Sequence, residues 1–330
     1  MISRQEVLQD WLINDLKLHI QSFEKLAGDA SFRHYYRIQA SFPGQHSQSL
    51  IAMDAPPAHE KIHEFLSMNQ LLEAQHLRVP KIYHSHLTTG YMLLEDFGEL
   101  HFFDVLTAAN KHRYYQQAIE LIHQLQTPLS LTTTANIPVF TPAVMRQELA
   151  LFDEWFLKKH LDLELRSTDI TCIHDCYAFL IDAINKHPTT LIHRDFHSRN
   201  LMILADKRIG LIDFQDAMIG PRTYDLVSLL KDCYIEHSES FQSWGLTYFN
   251  ASNPSAFEQE FHICGVQRHL KVLGIFSRLY YRDGKARYLN DLPLVLAYTL
   301  QALAKIPVLA SFHDWLHQVT RKVAKHKENA

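Results

Sequence analysis

Glycine and cysteine are both scarce in this 330-residue chain, with ten of the first and four of the second. Cys172 and Cys176 stand four apart without a second close pair, so the thiols complete neither a zinc site nor a disulfide framework. They read as free buried thiols, which fits a reducing compartment. Few glycines in a sequence that is 47% hydrophobic exclude a disordered chain and fit a globular one. No apolar run reaches membrane-spanning length, and charges throughout the N-terminal segment leave no signal-peptide core. The expected location is therefore the cytoplasm, with no membrane partner. A formal charge of −4 offers no excess of cations to neutralise nucleic-acid phosphates, which excludes that class of partner. The 22 histidines are scattered and form no metal-ligand spacing. Nothing signals an obligate protein partner. The length suffices for a two-lobed enzyme with a sizeable core.

What is present concentrates between Leu191 and Asp216. Two short apolar runs, Leu201 to Leu204 and Ile209 to Ile212, flank the turn-prone Ala205-Asp-Lys-Arg208 and predict a tight strand pair. His193-Arg-Asp195 precedes the first strand, Asn200 lies five residues beyond Asp195, and Asp213 ends the second strand. An acid, an amide and a second acid on adjacent strand ends suit Mg-assisted phosphoryl transfer. Asp195 accepts the proton of an attacking hydroxyl, while Asn200 and Asp213 are oxygen ligands for a Mg²⁺ bridging nucleotide phosphates. The plain alternative is a hairpin whose acids sit in solvent. A solvated turn gives no reason to keep His-x-Asp and an asparagine at this spacing around an apolar strand.

Upstream, Ser3-Arg-Gln-Glu6 is a capping box, and Val7, Leu8, Trp11, Leu12, Leu16 and Ile20 follow at helical spacing. Arg33 to Ile38 and Leu50 to Met53 read as strands, Ala58 to Gln75 as a helix, and Gly90 to Glu95 as a further strand. Ser31, Arg33, Tyr35 and Arg37 share one parity, so both arginines face one side of a strand.

The departures from protein kinases are informative. The metal-binding segment reads Asp213-Phe-Gln-Asp216, no Ala-Pro-Glu follows, and His197 stands inside the catalytic loop. These features resemble the aminoglycoside phosphotransferase and choline kinase-like family. Within it, Gly28-Asp-Ala-Ser-Phe-Arg33, Met53-Asp-Ala-Pro-Pro57, Gln215-Asp-Ala217, Thr223-Tyr-Asp-Leu-Val-Ser-Leu-Leu230 and Gln267-Arg-His-Leu-Lys271 resemble the anomeric N-acetylmuramate and N-acetylglucosamine kinases of peptidoglycan recycling. The resemblance covers nearly the whole chain. It implies an α+β, bilobal protein-kinase-like fold. A small mixed β-sheet N-lobe (1–95) binds nucleotide, and a large, mainly helical C-lobe (96–330) carries the catalytic and sugar sites. It also implies ATP with Mg²⁺ as the phosphate source and an amino-sugar C1 hydroxyl as acceptor.

Carried onto that fold, the loop ending at Ser31 covers the nucleotide phosphates, with an ordinary hairpin turn as the alternative. The strand lysine that pairs with phosphates is absent, since Met53 or Asp54 takes its place. Arg33 or Arg37 is expected to replace it, a surface ion pair being the other role open to them. Glu95 to Gly98 form the hinge, whose backbone reads the adenine edge. On the acceptor side, Glu148, Asp153 and Glu154 offer hydrogen bonds to sugar hydroxyls, and Trp155 offers a stacking face or core packing. His197, Arg199 and Asp232 are further acceptor-contact candidates. Asp232 is expected two turns along the helix that Thr223 begins, and Asp225 near its start accepts hydrogen bonds from the catalytic loop. One cation among Arg268, His269 and Lys271 meets an acceptor carboxylate, or the run is a solvated helix face. Two rivals stay open here. One is an aminoglycoside or other small-alcohol kinase, and the other is a nucleotide-binding pseudokinase suggested by the missing lysine.

Overall fold

The computed structural model describes residues 3–26, 32–128, 137–250 and 254–328. The loop carrying Ser31 lies outside them. The chain forms two compact units, Met1–Val105 with Arg199–Asp216, and Leu106–Ser198 with Ala217–Ala330. The expected boundary after residue 95 falls inside the first unit, to which the segment 199–216 also belongs.

In the first unit, β1 (His19–Lys25), β2 (His34–Ser41), β3 (Gln48–Asp54), β4 (Ile82–His86) and β5 (Tyr91–Glu95) form one sheet in the order β1-β2-β3-β5-β4. Every pairing is antiparallel, where a mixed sheet was expected. The helix Ile62–Ala74 leads from β3 to β4, but β5 inserts between those two strands, so the crossover makes no parallel neighbours. Alternation decides the faces of β2: Tyr36, Ile38 and Ala40 are buried, while Tyr35, Arg37 and Gln39 point the other way.

The opening helix, Arg4–Asp10, carries the capping box, with Ser3 and Glu6 bonding each other's backbone N–H. It widens into a π-type turn over Trp11–Asp15 and ends there, because Lys17 takes φ 57°. Ile20 therefore lies in β1 rather than on the helix. Leu8, Trp11 and Leu12 pack against Tyr36, Ile38, Leu50 and Leu93. The strand pair seen in the sequence is present as β7 (Leu201–Ile203) and β8 (Ile209–Leu211). It is tied into the unit by Ile203 N–H donating to Leu100 O and Leu211 N–H donating to Arg78 O, each at 2.8 Å. Gly210 has no room for a side chain, since a Cβ there would meet the Phe97 ring at 2.5 Å.

The second unit is mostly helical. Its longest helix, Pro254–Tyr281, packs against Pro142–Leu151 and its π-type continuation Phe152–His160, and against Tyr224–Leu230 and Leu292–Leu303. A two-stranded pair, β6 (Thr189–Ile192) with β9 (Met218–Pro221), delivers the chain to His193. Among the described residues no single helix is long and apolar enough to cross a membrane.

The long helix approaches its neighbour most closely at Gly274, where a Cβ would meet the Leu151 carbonyl carbon at 2.3 Å and the Phe152 nitrogen at 2.6 Å. Backbone cannot step aside as a side chain can. Gly274→Ala is expected to destabilise the protein by about 1–3 kcal/mol, although alanine is the better helix former by about 1 kcal/mol. Gly265 on the same helix meets nothing nearer than Val227 Cγ1 at 3.7 Å, so Gly265→Ala should be neutral or mildly stabilising. Urea midpoints of the two variants read the contrast, and equal midpoints would contradict the packing described.

Candidate active site

β6 ends at Ile192 and the chain turns sharply, with Arg194 in the left-handed region at φ 73°. A non-glycine residue holds that conformation only where its surroundings fix it. Asp225, fully buried near the start of the helix Tyr224–Leu230, does so by accepting the backbone N–H of His193 at 2.7 Å and of Arg194 at 3.0 Å. Burial pushes the Asp225 carboxyl up to about 6, with the Asp195 charge adding to the shift and His193 opposing it. Asp232 does the corresponding work at the other end of the loop, accepting Ser198 N–H and Tyr234 N–H at 2.8 Å each.

That corrects the expectation for Asp232. The helix stops at Leu230, and Asp232 is fully buried with its carboxylate committed to backbone, so it is a loop anchor rather than a sugar contact. Its bond to Tyr234 N–H is a local turn that competes with helix continuation.

The half-buried Asp195 sits among cations. Burial pushes its carboxyl up, but Lys271, His197, Arg194 and Arg268 together outweigh that and hold it below the ordinary carboxylate value. Two of those cations are fixed by Glu148. The Glu148 carboxylate pairs with the Arg194 guanidinium and with Lys271 Nζ at 3.0 Å, and it accepts Gln267 Nε2 at 2.9 Å. Lys271 Nζ also donates to the Tyr224 hydroxyl at 3.2 Å. Glu148 is only 7% exposed, so the expected sugar contact is instead the brace of the cation cluster. Trp155 is half-buried, and among the described residues no hydrogen bond, ion pair or ring contact ties it to this cluster. Asp153 is taken by the Tyr177 hydroxyl at 2.6 Å. The His197 ring meets Tyr234 edge-on, with centroids 5.3 Å apart.

The first unit holds the other half of the predicted constellation. Asn200 Nδ2 lies 3.5 Å from Asp213 Oδ2, and Ile212 N–H donates to Asn200 O at 3.1 Å. Asp213 takes φ 62°, its side chain is 48% exposed, and Gln215 Nε2 donates to its Oδ1 at 2.7 Å. Phe214 is buried against Phe65, centroids 5.0 Å apart, which anchors the segment to the helix Ile62–Ala74. Among the described residues no group of three or more His, Cys, Asp or Glu is placed to hold a metal. An exposed carboxylate with a neighbouring amide suits Mg²⁺, which keeps waters and takes phosphate oxygens rather than needing a protein cage.

The two arginines part company. Arg33, 8% exposed, pairs with Glu60 at 2.7 Å and reaches Asp213 Oδ1 at 3.9 Å. Arg37 donates to Asp96 at 2.7 Å, to Glu99, and to the Gly98 carbonyl at 2.9 Å. Its guanidinium is committed to the hinge segment, which corrects its assignment as a phosphate group. The Glu95 carboxylate is bound by Arg78. Arg199 places its guanidinium 5.8 Å from the Phe103 ring centroid, and its carbonyl lies 2.8 Å from His101 Nδ1.

Glu60 went unnoticed in the sequence, and Gln215 was read only as part of a motif, with no role of its own. The only signal for Glu60 was an acid just ahead of the first apolar residue of a helix. Gln215 stood in plain view, but its bond to Asp213 follows from the left-handed turn at that residue.

A family model described as the phosphotransferase enzyme family matches residues 22–255. The chain is 35% identical over 300 residues to the N-acetylmuramate/N-acetylglucosamine kinase of Pseudomonas aeruginosa, covering 88% of this chain and 86% of that protein. It is 33% identical over 326 residues to the protein of the same name from Neisseria meningitidis, covering 96% of each. Among solved structures, the ADP-bound aminoglycoside phosphotransferase APH(2'')-Ib superposes with a TM-score of 0.61 at 14% identity, over 90% of this chain and 98% of that one. An ethanolamine kinase of Plasmodium vivax does so at 0.63 and 14%, over 93% and 89%. The fold is therefore the protein-kinase-like one, and the chain belongs to the phosphotransferase enzyme family, as an enzyme that transfers phosphate to an alcohol acceptor.

Proposed function

We propose that the protein is an ATP-dependent amino-sugar kinase that phosphorylates the C1 hydroxyl of N-acetylmuramate and N-acetylglucosamine, returning cell-wall sugars to use as their 1-phosphates. The observation that carries this is the kinship with kinases named for those two sugars along nearly the full length of the chain. The cations around Asp195 favour it over an aminoglycoside acceptor, because a polycation needs acids and here Arg194, Arg268 and Lys271 crowd the base. The ADP-bound member of the same fold supports an adenine nucleotide as donor, while a GDP-bound one supports only a nucleotide.

Asp195 is the base. It orients the acceptor hydroxyl in line with the γ-phosphoryl group and takes its proton late. A carboxylate held below its usual range is a weak base, which suffices where the transition state is loose and most of the rate comes from positioning and charge stabilisation. An anomeric hydroxyl is more acidic than an ordinary alcohol, and this eases the demand further. Asn200 and Asp213 would hold Mg²⁺, which neutralises phosphate charge when bound. Arg33, oriented by Glu60, takes the phosphate-pairing role of the missing strand lysine.

Incubation with ATP, Mg²⁺ and a panel of amino sugars and aminoglycosides, read by ³¹P NMR, should give sugar 1-phosphates. Phosphate on aminoglycosides alone would overturn the amino-sugar assignment. Asp195→Asn should lower turnover by about 10²–10⁴-fold with nucleotide binding nearly intact, as single-turnover transfer and calorimetry would measure. Asp213→Ala should lose Mg-dependent nucleotide binding together with activity.

The two arginines give a separate test. Arg33→Ala should weaken ATP binding by about 1.5–3 kcal/mol, the range for a hydrogen bond to a charged group. Arg37→Ala should leave ATP affinity within about threefold, since its guanidinium is already committed to Asp96, Glu99 and the Gly98 carbonyl rather than to phosphate. Equal losses in calorimetric titrations would return the phosphate role to both.

A further inference from the structure

On the long helix Pro254–Tyr281, Gln267, Arg268 and Lys271 share one buried face. Gln267 and Lys271 are closed off by Glu148. Arg194 is ion-paired with the same carboxylate, although its Nε finds no hydrogen-bond partner. Arg268 differs. It is 3% exposed, its hydrogen bond goes from Nη1 to the Cys233 sulfur at 3.4 Å, and among the described residues no carboxylate lies within ion-pair distance of it. Sulfur is a weak acceptor, and burial pushes the Cys233 thiol up, so no thiolate offsets the charge.

A buried guanidinium without a counter-ion is costly, and its five N–H donors stand in a fixed fork. Arg268 stands one helical turn from Lys271, which Glu148 joins to Arg194, the chain neighbour of Asp195. Its guanidinium therefore belongs to the surroundings of the base without a carboxylate partner of its own among the described residues. Beside it, Tyr234 follows Cys233 in the chain and supplies a half-buried ring against His197.

We propose that Arg268 receives a carboxylate carried by the acceptor, and so makes the acidic sugar N-acetylmuramate the preferred substrate over its neutral counterpart N-acetylglucosamine. This rests on the amino-sugar assignment above. N-acetylmuramate bears a lactyl carboxylate on O3, two ring carbons from C1, a planar anion that matches the guanidinium fork in two parallel bonds. N-acetylglucosamine has a hydroxyl there and leaves the fork to water. A site built around such a fork discriminates against a ligand that cannot fill it.

The test compares the wild-type enzyme on N-acetylmuramate, on its carboxamide, and on N-acetylglucosamine. The carboxamide should show a kcat/KM at least about tenfold below the acid, one good charge-assisted contact being sufficient for that. Arg268→Gln should collapse the preference for acid over carboxamide to within about twofold. Arg268→Lys keeps the buried charge for folding and for Asp195 but lacks the fork, and it should lose most of the preference too. Wild-type enzyme that treats acid and carboxamide alike overturns the proposal. So does a set of variants that slow all three sugars equally, since Arg268 would then only support Asp195. If neither sugar is phosphorylated by the wild-type protein, the amino-sugar assignment itself has failed, a result distinct from phosphorylation without preference for the acid.

Discussion

A single buried carboxylate holds the catalytic half of the second unit together. Glu148, on the helix Pro142–Leu151, binds Arg194 from the loop after β6 and both Gln267 and Lys271 from the long helix. Three segments far apart in sequence are thereby pinned through one side chain. Burial pushes the Glu148 carboxyl up, but Lys271 and Arg194 prevail and keep it ionised. Breaking such a pair from one side costs about 3–5 kcal/mol, because the partner is left charged in a poor solvent. Here two partners would be stranded. The same two cations pull the Asp195 carboxyl downward, so the brace and the proposed base are coupled: whatever positions Arg194 and Lys271 also sets the balance at Asp195.

The first unit solves a different problem with similar means. The strand β3 ends in Asp54, and that acid is occupied by Arg4 through Nε at 3.1 Å. The end of the strand is therefore a closed ion pair, with no place for a phosphate-facing lysine. On the proposed reading the cation comes instead from Arg33, just ahead of β2, which Glu60 ahead of the helix Ile62–Ala74 fixes. Glu60 also accepts Phe32 N–H at 3.0 Å, so the acid orders the backbone that carries its own partner. Arginine suits this arrangement because its fork can hold a carboxylate on one edge and still present donors on another, which a lysine ammonium does less well.

What the sequence made legible was local. The capping box at Ser3, the strand pair from Leu201 to Leu211 and the long C-terminal helices follow from spacing within a dozen or so residues. The pairing of β6 with β9 was not legible, because each strand has four residues and its partner lies across the whole catalytic segment. The helix Glu239–Phe249 also escaped notice, although Ser238 caps it by accepting Phe241 N–H. At the site, residue types were readable and commitments were not. Arg33 and Arg37 stand four apart with the same parity, yet one finds Glu60 and the other Asp96, both distant in sequence. Glu148 and Asp232 looked like acids available to a sugar, and only tertiary packing shows that cations and backbone N–H groups have already taken them.

The charge balance around Asp195 constrains how the enzyme reaches its rate. A base lifted toward neutrality by burial would remove the hydroxyl proton early and would be half-protonated in the working pH range. Asp225, which binds the same loop, shows what burial does when the opposing charge is too small, for its carboxyl rises to about 6 although His193 opposes the shift. Asp195 is kept from the same fate by Arg194, Lys271, Arg268 and His197. On the proposed mechanism, what is given up in basicity is returned as a carboxylate biased toward its ionised, hydrogen-bond-accepting form, which is the property that aligning a hydroxyl for in-line attack requires. Asp195 within the loop and Asp225 beneath it thus shift in opposite directions, because the positive charge facing Asp195 outweighs its burial and that facing Asp225 does not.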